Sequence, residues 1–203
     1  MLLEIHPDNP QRRLVDQIAD ILENDGVIVY RTDTTYAFGC RVRSKKAMKR
    51  LYRIKRIKKN RPSTLVCSDI KQFQQYTRGI DNRVFRKIKS LMPGHYTFIF
   101  QASKEVPKVM LSPRSTIGVR IPDAPIARTL AESVGEPILS SSVPVKEETD
   151  IHDPYEIYEA YGKVVDCVAD SGEIYIRRSS IIDFSRTPAE VIRAGDADLS
   201  WIE

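Results

Sequence analysis

Three stretches of this 203-residue chain gather groups that can bind or orient a polar substrate. The first, RTDTTYAFGC at residues 31 to 40, places an aspartate, three threonines and a tyrosine directly after the apolar run GVIVY. The second is Ser140-Ser141-Ser142, three hydroxyls closing the segment PILSSS. The third, RVRSKKAMKRLYRIKRIKKNR from Arg41 to Arg61, holds twelve Lys and Arg and no acid. Short hydroxyls and a carboxylate at a strand end either take up backbone amides as turn and cap groups or present donors and acceptors to a small molecule. Both readings stand at this level. A localised basic stripe attracts phosphate, of a nucleotide or of RNA, by making a focused field; a solvated helix face is the plainer alternative. Two hydroxyl-rich lips facing one basic helix could enclose a phosphate. The chain has no Walker-type glycine loop and no dinucleotide fingerprint, so a nucleotide has to be held by side chains. His6, His95 and His152 are too scattered for a triad or a metal cluster and read as turn or surface residues, and no metal site is expected.

The elements that must position these groups alternate along the chain. Asn9 as cap and Pro10 at the first helical position open a helix with Leu14, Val15, Ile18, Ile21 and Leu22 on its apolar face, and Gly26 stops it. VIVY, four apolar residues without alternation, suits a strand covered on both sides. A second amphipathic helix is expected from Ser44 to about Ile57, with Ala47, Met48, Leu51 and Ile54 inward and the basic residues outward. STLVC reads as a strand, DIKQFQQY and DNRVFRKIKSLM as short helices, the second ended by Pro93-Gly94. HYTFIFQA and STIGVRIP are strands. DAPIARTLAESVG is a helix between Asp123 and Gly135, and PILSSS, KVVDCVA, SSIIDF and EVIRAG complete the alternation. Residues 144 to 154, PVKEETDIHDP, read as a surface loop. This pattern predicts an α/β fold, a largely parallel or mixed sheet with helices on both faces. Ligands in such sheets gather at the carboxyl ends of strands, and RTDTTYAFGC and PILSSS are two such exits.

Composition sets the outer limits. The length and 41% hydrophobic content suit one compact domain, residues 1–203. Outside Arg41 to Arg61 there are twenty basic and 27 acidic residues, so the net charge of +5 is local in origin. Cys40, Cys67 and Cys167 make neither a metal-ligand spacing nor a disulfide framework. No apolar run reaches the ~18 residues of a membrane span, and a soluble, cytoplasmic protein is expected.

Five elements in register resemble the YrdC/YciO superfamily across essentially the whole chain: the TDTTYAFGC start, a basic K-x-R-like element about twenty residues on, TIGVRIPDAPIARTLAESVGEPILSSS, SSIIDF and EVIRAG. IHPDNPQRRL and PGHYTFIF look closest to its YciO branch. The resemblance implies a twisted mixed sheet around a large basic cavity; larger members carry a further C-terminal domain, for which this chain has no room. In synthase members that cavity condenses L-threonine, bicarbonate and ATP, with Mg²⁺, into threonylcarbamoyl-AMP and pyrophosphate, a product used in tRNA modification. By match to the family's motifs, Thr32, Thr34 and Tyr36 would line the threonine and adenylate end. Lys55 and Arg120 would be the catalytic cations, and Ser141, Ser180 and Arg193 would complete the nucleotide pocket. For Arg120 the plainer alternative is a surface position on an edge strand.

The resemblance also has gaps. Arg31 stands where the family usually has Pro, and Ala37 where it usually has Gly. Ile57 occupies the second basic position of K-x-R, with Lys59 and Arg61 near enough in sequence to substitute. The family's S-x-N element reads Ser141-Ser142-Val143, and Val cannot donate a hydrogen bond. Loss of one transition-state donor costs on the order of 10²-fold in rate, so weak or altered synthase activity is expected. The alternative is a protein that binds double-stranded RNA, tRNA or ribosomes without catalysis, through Lys45, Lys49, Arg53 and Arg56 on the basic helix.

Overall fold

The computed structural model describes residues 1–56, 64–144 and 150–202. In chain order the elements are β1 (Leu2–Glu4), α1 (Arg12–Glu23), β2 (Ile28–Arg31), β3 (Tyr36–Arg41), α2 (Lys45–Ile54), β4 (Thr64–Val66), α3 (Ile70–Tyr76), β5 (Thr77–Arg78) and α4 (Asn82–Leu91). They continue with β6 (Tyr96–Ala102), β7 (Thr116–Arg120), α5 (Pro125–Ser133), β8 (Ile138–Ser142), β9 (Ile151–His152), α6 (Pro154–Tyr161), β10 (Cys167–Asp170), β11 (Ile174–Tyr175), β12 (Ser180–Asp183) and β13 (Glu190–Arg193).

Among the described residues one mixed sheet runs in the order β1-β10-β2-β3-β8-β4-β7-β6-β12-β13, with β5 added to β6 and with β9 and β11 paired separately. The pairs β1/β10, β10/β2, β4/β7 and β12/β6 are parallel; β2/β3, β3/β8, β4/β8, β6/β7 and β12/β13 are antiparallel. Helices cover both faces, as the alternation of apolar segments requires. On one face α1 and α5 pack on Ile28, Tyr30, Ala37 and Ile138. On the other, Met48 and Leu51 of α2, Phe73 of α3, Ile88 of α4 and Ile157 of α6 pack on Val29, Phe38 and Phe98. Successive strand residues point to opposite faces, so β2 and β3 divide their side chains between the two cores.

Several boundaries differ from expectation for local reasons. The first helix starts at Arg12, because His6 Nδ1 accepts from the amides of Asp8 and Asn9 and holds that segment as a turn. It ends where Gly26 N–H reaches Ile21 O at 2.9 Å; a Cβ on Gly26 would lie 2.4 Å from that oxygen. Helix α2 is capped by Ser44, whose hydroxyl accepts from Ala47 N–H, and it stops at Ile54. Ile57, Lys59, Arg61 and the rest of residues 57–63 lie outside the described residues. RTDTTYAFGC is mostly strand: a turn at residues 32–35 leads into β3, in the middle of the sheet. Helix α5 has Ala124 at its N-cap, while the Asp123 amide donates to Asp33 instead. Within the expected loop 144–154, Ile151–His152 form β9 and Asp153 caps α6, which starts at Pro154; residues 145–149 lie outside the described set. No helix among the described residues is long and apolar enough to cross a membrane.

Candidate functional site: a basic cavity lined by hydroxyls

The turn after β2 is organised by one side chain. Thr32 Oγ1 donates to Thr35 O at 2.7 Å and accepts from the amides of Thr34 and Thr35, the local capping role that short hydroxyls favour at a turn. Thr34 Oγ1 lies 3.2 Å from it and accepts from Arg120 Nη1 at 3.1 Å. Asp33 points the other way, toward β7 and the start of α5. Its Oδ1 accepts from Arg120 Nη2, and its Oδ2 accepts from Asp123 N–H at 3.0 Å. The Asp33 and Arg120 side chains are 3% and 9% exposed, which makes this a buried ion pair.

Arg120 forms one wall of a cavity of about 250 Å³. β7 lies between β4 and β6, so the edge-strand alternative for Arg120 fails: hydrogen-bonded neighbours on both sides bury its backbone. Lys55, at the C-cap of α2, reaches in and donates to Ser142 O. Arg193, on β13, donates through Nε to Ser179 O at 2.9 Å and through Nη2 to Ser179 Oγ at 2.9 Å. Burial, then the nearby guanidinium groups of Arg178 and Arg120, holds Arg193 below the usual arginine range. The hydroxyl residues Thr32, Thr64, Thr97, Ser140, Ser141 and Ser179 line the same space, and no carboxylate does among the described residues. Arg120 Nε is buried without an acceptor among the described residues. Asp33 neutralises Arg120 from behind, while the cavity face presents Lys55 and Arg193 beside it and no carboxylate among the described residues, a lining that favours an anion.

Thr32, Lys55, Arg120, Ser141 and Arg193 therefore meet at one cavity, although they come from the turn after β2, the end of α2, and the strands β7, β8 and β13. The other three expected residues do not line it. Thr34 stands behind Arg120 as its hydrogen-bond partner. Tyr36 faces the other side of β3: its hydroxyl donates to Gly172 O at 2.8 Å and accepts from Ser171 N–H at 2.9 Å, because strand alternation turns residue 36 away from Ala37, which does line the cavity. Ser180 is fully buried, with its Oγ between Gly195 N–H and Ala197 O, and its neighbour Ser179 takes the cavity position. The same alternation could have found Ser179, and Asp33 was in view within the TDTT motif without a visible partner.

The histidines divide. His6 is the expected turn residue. His152 is a correction: it is 5% exposed, with Nδ1 2.7 Å from Thr35 Oγ1, since β9 and α6 fold over it where a loop was expected. Burial lowers its pKa. His95 borders a neighbouring hollow. Val143 is 3% exposed and joins the apolar core beside Ile157. An asparagine there would enter hydrocarbon, so the expectation that it would supply a cavity donor is withdrawn. Lys45, Lys49, Arg53 and Arg56 are all solvent-exposed along α2 and its end.

Among the described residues no group of three His, Cys, Asp or Glu could hold a metal ion. The cavity lining does not build a Mg²⁺ cage; a small hard cation of this kind usually arrives with substrate phosphates and its own waters.

The fold has known counterparts. The chain is 42% identical to the Escherichia coli protein YciO over 198 residues, 96% of this chain and 95% of that one. The crystal structure of E. coli YciO superposes with a TM-score of 0.90, covering 100% of this chain and 99% of that one at 39% identity. A threonylcarbamoyl-AMP synthase of Coxiella burnetii is 29% identical over 156 residues, 77% of this chain and 84% of that one. Sua5 of Pyrococcus abyssi, crystallised with L-threonine, shares the fold at a TM-score of 0.88 and 21% identity, over 96% of this chain and 57% of that one. The Sua5/YciO/YrdC family model, described as telomere recombination, matches residues 20–195, and the chain belongs to that family.

Proposed function

We propose that the protein is an ATP-using enzyme of the threonylcarbamoyl-AMP synthase type, condensing L-threonine, bicarbonate and ATP into threonylcarbamoyl-AMP with release of pyrophosphate and water. The observation that carries this reading is the convergence of Lys55, Arg120 and Arg193 with the Ser140–Ser142 hydroxyls on one cavity. Bicarbonate is a poor electrophile and threonine's amine attacks only when deprotonated, so the protein's task is to hold the reactants in line and to stabilise charge developing on the phosphates. Arg120, braced by Asp33 and Thr34, and Arg193, braced by Ser179, are cations fixed before substrate arrives. Lys55, a flexible point charge at a helix end, suits the departing pyrophosphate. Mg²⁺ would enter with the nucleotide and neutralise its phosphates. No covalent nucleophile is required. The threonine-bound Sua5 relative supports a small amino-acid substrate.

The test is direct. With Mg-ATP, threonine and bicarbonate, pyrophosphate release should depend on threonine and fall at least ~10²-fold in Lys55→Ala. The weak activity expected from the incomplete K-x-R element calls for single-turnover conditions. Absence of both nucleotide binding by calorimetry and any threonine-dependent product would remove the enzyme reading.

A second reading is RNA binding, favoured by the exposed residues Lys45, Lys49 and Arg53, whose spacing puts them along one side of α2, with exposed Arg56 just past its end. Such binding would show affinity falling steeply with salt and no competition from ATP.

A further inference from the structure

A second hollow of about 160 Å³ lies behind the Arg120 wall, bordered by Asp8, Arg31, Asp33, His95 and Asp123. Thr32 borders both hollows. The partition between them is the buried ion pair itself: Arg120 lines the first hollow and Asp33 the second. On the far side of Asp33, His95 Nε2 lies 3.8 Å from Oδ2, with its side chain 22% exposed. That separation is long for a hydrogen bond and lies within ion-pair distance of a charged imidazole. One carboxylate is thus approached by a guanidinium from the main cavity and by an imidazole from the second hollow.

We propose that His95 is a positioning residue that acts on the main cavity through Asp33: the charge on its imidazole sets how completely Asp33 neutralises Arg120, and so how strongly the cavity attracts an anion. With His95 neutral, Asp33 and Arg120 cancel and the carboxylate is committed to the guanidinium. With His95 protonated, the carboxylate is shared between two cations and the row Arg120, Asp33, His95 carries a net positive charge at the cavity wall. Arg120 lines the main cavity, so that change reaches an anion bound there. The other charged groups facing His95 across the second hollow are Asp8, Asp123 and Arg31. Arg31 is already held by Ser171 O at 2.6 Å, and the backbone amide of Asp123 is held by Asp33. This inference goes beyond the synthase reading, because it concerns attraction for any anion and needs no turnover.

The test uses sulfate, which keeps its full charge across the range of about pH 5 to 8 in which histidine side chains change theirs. Calorimetric titration of the full chain should show sulfate bound roughly threefold or more tightly at the acid end of that range than at the alkaline end. His95→Gln, which keeps a polar side chain at a partly exposed position and cannot titrate, should flatten that dependence. His6 and His152 remain in the variant as internal controls. A merely structural role for His95 would shift affinity by one factor at every pH. A second readout needs no ligand: the Nε–H resonance of Arg120, identified by its loss in Arg120→Lys, should move with pH in the native chain and stay fixed in His95→Gln. Equal pH dependence in the two proteins, or no sulfate binding at any pH, would overturn the proposal.

Discussion

Arg120 shows how much one side chain's meaning depends on its partner. Buried opposite Asp33, it is expensive to remove alone: a stranded buried carboxylate costs about 3–5 kcal/mol. Arg120→Met should therefore lower unfolding free energy in urea by about that much, and Arg120→Met with Asp33→Asn should recover most of the loss, while neither variant regains affinity for nucleotide. Equal stability of the single and double variants would mean that the pair contributes nothing. The thiols report burial in another way. Burial pushes Cys40 up to about 12, Cys167 up to about 11 and Cys67 well above the ordinary thiol value of 9.0. An unfolded chain loses those protons from about pH 8.5 upward while the folded chain keeps them. These thiols therefore stabilise the fold fully below that pH, and the contribution is lost as pH rises toward their folded values. The urea midpoint should fall between about pH 8 and pH 10, more steeply in the native chain than in a Cys40→Ala, Cys167→Ala variant.

At the scale of elements, β3 decides the site's shape. It pairs with β2 on one side and β8 on the other, bringing the Thr32 turn and the serine row to one place. The close approach is made at Gly39, where a Cβ would lie 2.7 Å from Tyr30 Cε1 and 2.9 Å from Ile138 Cγ2. Tyr30 in turn donates its hydroxyl to Ser140 at 3.1 Å. Gly39→Ala should cost about 1–3 kcal/mol by overpacking. It should also weaken nucleotide binding by displacing the Tyr30 hydroxyl from Ser140. A variant with unchanged stability and affinity would show that Tyr30 has room to move. The residues flanking this strand were readable as chemistry, but β3 itself was hidden, because its polar start looks like a strand exit.

For the whole molecule, charge is divided between a cavity-lining set and a set on the outer surface. Lys55, Arg120 and Arg193 face the cavity, while Lys45, Lys49, Arg53 and Arg56 face solvent. Replacing all four exterior cations with Gln should leave ATP affinity within about twofold, since surface charges are screened beyond about 10 Å at ordinary ionic strength. The same variant should lose RNA retention on a filter if the protein binds RNA at all. A large loss of ATP affinity would mean that α2 contributes more than Lys55 to the cavity.

The alternation of apolar segments, the helix start at Ser44 and the local basic stripe were properties of the chain by itself, because periodicity and hydrogen-bonding chemistry act over a few residues. From those, and from motifs in register, the α/β class and five of the cavity residues could be named. Tertiary structure alone decided that Arg120 is central and paired with Asp33, that Ser179 rather than Ser180 faces the cavity, that Tyr36 turns away, and that Val143 is core. Each of those outcomes depends on strand order, or on which of two opposite faces a residue takes. A strand's neighbours can be distant in sequence, and a register shift of one residue exchanges its faces, so no local pattern carries that information.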